Sequence, residues 1–173
     1  MERSGPFVTS LSSAVPAFVG VCAVILANLP FEPLGGFLPA PLLALMPVYF
    51  WGLVRPDLMP PAVAFGLGVL QDLFSGGPPG VWALAFVAAY AVIDTQRDFF
   101  AGLSGVGAIL GFALAMLIAG LTAYGVSAFY EWQLPPSLPV LAEVVVSVVV
   151  YIPVALFFGV VHRRLVGARR SEL

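Results

Sequence analysis

The chain has 173 residues, 61% of them hydrophobic and only 9% charged, with a net charge of −2 and a mean hydropathy of +1.05. Soluble domains average about 25% charged residues, so water could not solvate so apolar a fold, and lipid is expected to be the solvent for much of it. The charge gives no basis for binding nucleic acid, and the single cysteine, Cys22, supports neither an internal disulfide nor a metal site.

In chain order, Met1 to Ser10 is a short polar lead carrying Arg3. Residues 11–29 are uncharged and long enough for a first crossing. They end in Asn28-Leu29-Pro30, unlike an A-x-A cleavage site, so a retained span is expected and not a cleaved signal peptide. A Pro/Gly-rich loop with Glu32 leads to a short second span at 41–54. Tyr49, Phe50 and Trp51 near its end are expected at a membrane interface, as are Trp82 and Trp132.

Arg55-Pro56-Asp57 makes a charged turn before a third span at 58–74. There Gly66 and Gly68 are the small residues that let membrane helices pack closely. Ser75 to Gly80, SGGPPG, cannot continue a helix, and a fourth span is predicted over 80–93. The polar segment Asp94 to Asp98 lies outside the hydrocarbon. A fifth span is placed at 108–129, a turn at Glu131 to Ser137, and a sixth span at 138–161, followed by a basic tail with His162, Arg163, Arg164, Arg169 and Arg170. The expectation is an all-α integral membrane protein, one domain over 1–173 with six transmembrane helices in a single bundle.

Six crossings put both termini on one side, together with the Arg55 turn and the Arg97 segment. All seven arginines then share one face, which the positive-inside rule makes cytoplasmic. The arginines, Arg163, Arg164, Arg169 and Arg170 above all, read as a topology signal and as contacts to lipid headgroups.

Asp72 and Glu143 are the carboxylates that fall inside apolar spans. An ionised group there costs on the order of 3 kcal/mol and calls for a partner. Asp72 either pins the bend, through backbone N–H groups of Ser75 to Gly77 or of the next helix, or receives a partner's cation or a ligand. Glu143 either snorkels outward or plays that same accepting role. His162 reads as a helix-end residue, since it lacks a catalytic companion. No nucleophile–base pair, phosphate loop or metal-ligand cluster stands out, so neither catalysis nor a cofactor is expected.

The stretch from Tyr49 to Ile93 resembles the MreD family of rod shape-determining proteins. The resemblance rests on the aromatic run at Tyr49 to Trp51, the Arg55-Pro56 turn, and a signature matched by Gly68, Leu70, Asp72, Gly76 or Gly77, Pro79 and Gly80, with Gln71 beside the acid. Pro78-Pro79 departs mildly from the Pro-Leu more common there. The resemblance implies a non-enzymatic inner-membrane component of the bacterial cell-wall elongation machinery. Its implied partners are the single-span scaffold MreC, RodA with its penicillin-binding transpeptidase, and indirectly MreB filaments. The family's spans are similar in arrangement to the substrate-binding subunits of energy-coupling-factor vitamin transporters. A small-molecule-binding subunit of a transporter is therefore the alternative, and it requires an outward polar pocket, for which Glu32, Gln71, Asp72, Glu131, Gln133 and Glu143 are the candidates.

Overall fold

The computed structural model describes residues 6–29, 39–95, 97 and 106–166, with side chains from residue 14 onward. Among these residues there are six α-helices and no strand: α1 (Pro6–Ala27), α2 (Leu45–Val54), α3 (Pro61–Ser75), α4 (Val81–Thr95), α5 (Val106–Glu131) and α6 (Ser137–Val161). A π-helical turn, His162–Val166, continues α6. Arg3, Glu32, Arg169 and Arg170 lie outside the described residues.

Local chemistry accounts for the boundaries. Pro60 and Pro61 start α3, where proline loses no helical hydrogen bond. The same helix stops at Gly76, whose φ of +68° is a left-handed conformation that glycine adopts without strain. Glycine again takes a positive φ, +93°, at Gly80, just before α4.

Among the described residues two helices are long and apolar enough to cross a membrane: Val106–Glu131, and Ser137–Val166, which takes in the π turn. At 15 residues each, α3 and α4 rise only about 22 Å, short of the roughly 30 Å hydrocarbon core. The 10 residues of α2 rise about 15 Å. The described residues are thus all-helical, with two helices that meet both the length and the apolarity of a crossing.

The shortest helix lies at the centre. α2 packs on α1, α4, α5 and α6, and seven of its residues are buried, from Leu45 to Gly52. This position overturns the interfacial reading of its aromatics. Tyr49 and Trp51 are fully buried. The Tyr49 ring meets Phe112 and Tyr151 edge-on, those two rings stack with centroids 4.0 Å apart, and its hydroxyl donates to the Ala108 carbonyl at 3.0 Å. Trp51 tilts against Phe158. Of the three tryptophans only Trp132, 85% exposed, stands clear of the fold.

α6 shows the opposite relation between apolarity and burial. Val and Leu dominate it, yet it buries only Ser147, Tyr151 and Phe158. Leu141, Val145, Val149, Ile152 and Leu156 form an exposed stripe at three- and four-residue spacing. Water would not tolerate such a bare apolar helix, so the stripe fits contact with lipid.

Successive helices alternate in direction. Asn28, after α1, meets Gln71 near the end of α3. The end of α5 meets the α3–α4 bend, where the Tyr130 hydroxyl donates to the Pro79 carbonyl at 3.2 Å. At the opposite end, α2 packs on α4 so closely that a Cβ on Gly52 would lie 3.2 Å from the Tyr90 ring. Phe50 meets His162 there, with ring centroids 6.3 Å apart.

Candidate functional site at the bend end of the bundle

The α3–α4 hairpin is held by backbone proximity and one carboxylate. A Cβ on Gly68 would lie 2.6 Å from the Ala83 Cα and 2.7 Å from the Trp82 carbonyl oxygen, so only glycine permits this approach. Gly66 has open space around its Cα and takes no part in the contact.

One helical turn further on, Asp72 is 7% exposed and accepts three backbone hydrogen bonds. Gly80 N–H donates to Oδ2 at 2.9 Å, Trp82 N–H to Oδ1 at 2.8 Å and Ala83 N–H to Oδ2 at 3.2 Å. The first N–H groups of any helix lack intrahelical acceptors. Asp72 supplies those acceptors to α4 from the preceding helix, at the end where the dipole favours an anion. The amides it binds belong to the start of α4, not to Ser75–Gly77.

The other expected site residues of the bend divide by role. Gln71 is buried and accepts from Asn28 Nδ2 at 3.1 Å; that nitrogen also donates to the Val24 carbonyl at 2.8 Å. Gly76 and Gly80 supply the positive φ values. Pro79 offers its carbonyl to Tyr130. Gly77 is exposed and lies at the mouth of a cavity.

That cavity has a volume of about 310 Å³ and lies between the bend, the start of α4, the C-terminal half of α5 and the first turns of α6. Glu143 and Glu131 line it, with Trp82, Tyr124, Ser75 and Ser127. Glu143 is therefore within reach of the bend, but the Asp72 carboxylate, bound by the amides at the start of α4, is not among the residues that line this cavity. Among the described residues no cation lies within ion-pair distance of Glu143.

The described arginines are at the other end. Arg55 follows α2 and donates from Nη2 to Asp57 at 2.8 Å; that hydrogen bond holds its guanidinium above its ordinary, already high, pKa. Arg97, past the end of α4, pairs with Asp94 in the last turn of that helix. Arg163 and Arg164 are exposed on the π turn.

Several contributors escaped the sequence reading. Ser147, fully buried, accepts from the Leu42 N–H at 2.9 Å. Asn28 ties α1 to α3, and Tyr124 and Ser127 line the cavity. A polar residue isolated in an apolar run was the available signal for Ser147 and Asn28. Nothing local marks Tyr124 or Ser127. Among the described residues no group of three or more His, Cys, Asp or Glu side chains could hold a metal. Comparison with family models, curated proteins and solved structures gives no match.

Proposed function

We propose that the chain is a non-enzymatic, six-span scaffold of the bacterial inner membrane, an MreD-like component of the cell-wall elongation complex. The arginine end would face the cytoplasm with both termini. The observation that carries this reading is the α3–α4 hairpin, in which the signature positions act as one unit. Gly68 allows the backbone contact, Asp72 binds three amides, and Gly76 and Gly80 take the positive φ values. That unit accounts physically for a Gly–Asp–Gly–Gly pattern. The exposed stripe from Leu141 to Leu156 supports a partner's single span packing alongside, as an MreC-like protein would present, with RodA and its transpeptidase further out.

Affinity purification from membranes is expected to recover an MreC-like protein. Its absence, together with normal rod shape after depletion, would overturn the reading. Reporter fusions should place both chain ends on the cytoplasmic side; ends on opposite faces would remove the six-span topology.

The cavity beside Glu143 favours a second reading, a small-molecule-binding subunit of a transporter. A vitamin-sized ligand retained through purification would select it over the scaffold.

A further inference from the structure

Asp72 and Glu143 lie well inside apolar helices near the bend, with Glu131 at the very end of α5, and the surroundings of the first two differ. Asp72 is saturated by amides of its own chain. Glu143 opens on the 310 Å³ cavity without a counter-charge among the described residues. Arg163 lies about 20 residues further along the same rod, roughly 30 Å away, and Arg55 and Arg97 are at that far end with carboxylate partners of their own.

The wall around Glu143 narrows what can restore neutrality. Trp82 and Tyr124 contribute aromatic rings, a residue type that packs on an apolar stem and attracts a cation. Ser75 and Ser127 offer hydroxyl oxygens that accept N–H bonds. Glu131, the last residue of α5, adds a second carboxylate, and the rest of the lining, Val140 and Ala123 among it, is apolar or glycine. The volume stands at the lower end of the range for small-molecule sites, about 300–1,000 Å³, large enough for a short stem with a charged head and too small for a helix. Among the described residues no group of three or more His, Cys, Asp or Glu side chains gathers here to hold a divalent metal.

We propose that this cavity binds a small organic cation, a primary ammonium or guanidinium group on a short apolar stem, with Glu143 as its counter-charge and Trp82 and Tyr124 against its stem. This names a ligand class for the small-molecule-binding reading and rests on that reading, not on the scaffold.

The test uses the full chain purified in detergent, titrated with n-butylguanidinium and with uncharged n-butylurea by calorimetry. Butylguanidinium is expected to bind saturably, and butylurea at least about tenfold more weakly, the difference a charge-assisted hydrogen bond supplies. Glu143→Gln should lower butylguanidinium affinity by about tenfold or more. Ser127→Phe, which keeps the charge but fills the space, should do the same. No saturable binding up to about 10 mM, a ceiling weaker than useful recognition, would overturn the proposal. So would equal affinity for the two probes, a comparison that needs no variant to fold. Recovery of an MreC-like partner is read separately, so the two proposals fail independently.

Discussion

Two helical hairpins turn at the same end of this bundle, and they are built to different standards of closure. In α3–α4 the backbones touch at Gly68, and the one carboxylate is consumed by three amides of the facing helix. In α5–α6 the glycine contact is looser: a Cβ on Gly120 would meet Val140 and Val144 at an ordinary 3.5 Å. The turn exposes Trp132 and Leu134, and Glu143 faces a cavity. The same ingredients, a glycine and an acid within an apolar helix, make a closed joint where polar atoms find partners locally. Where they do not, the acid remains available to something else.

Substitutions at the closed hairpin should produce the largest losses. Asp72→Ala strips the acceptor from three N–H groups at once and is expected to destabilise the protein by about 3 kcal/mol or more, read as thermal unfolding in detergent. A loss below about 1 kcal/mol would mean these amides find other acceptors easily. Gly68→Val comes next, at about 2–3 kcal/mol, because the obstructing atoms are backbone and cannot rotate away. Gly66→Val, two residues earlier in open space, is expected within about 0.5 kcal/mol of the parent. Equal effects at the two positions would erase the backbone contact as the cause. Gly76→Ala, forced into a left-handed conformation at φ +68°, should cost about 1–2 kcal/mol.

The closed hairpin is also the part that could be read from sequence. Gly68, Asp72 and the SGGPPG tract are short-range signals, and their roles play out within about 15 residues of chain. The helix boundaries followed for the same reason: α3 begins after Pro60 and ends at Gly76 because proline and glycine act locally. What escaped depends on distant segments. Nothing near Tyr49 or Trp51 tells that four other helices surround α2 and turn an apparent interface cluster into core. Gly66 and Gly68 look alike in the sequence, and only the position of α4 separates them. Tyr124 and Ser127 line a cavity because α6 and the bend arrive from elsewhere. Crossing length was harder still, since hydropathy reports how apolar a stretch is and not how many residues stay helical, which is 10 in α2 and 15 each in α3 and α4.

The smallest expected effect is the sharpest contrast with Asp72. Glu143→Gln keeps the size of the side chain and removes its charge. Among the described residues it breaks no hydrogen bond or ion pair, so the only energetic change in the absence of added cation is relief of an anion held in an apolar bundle. Unfolding should therefore stay within about 0.5 kcal/mol of the parent or shift up by about 1 kcal/mol, whereas Asp72→Asn, which sets an amide N–H₂ against backbone donors, should fall by about 1–3 kcal/mol. A loss of similar size at both positions would place a structural partner at Glu143, and the α5–α6 hairpin would then be as closed as its neighbour.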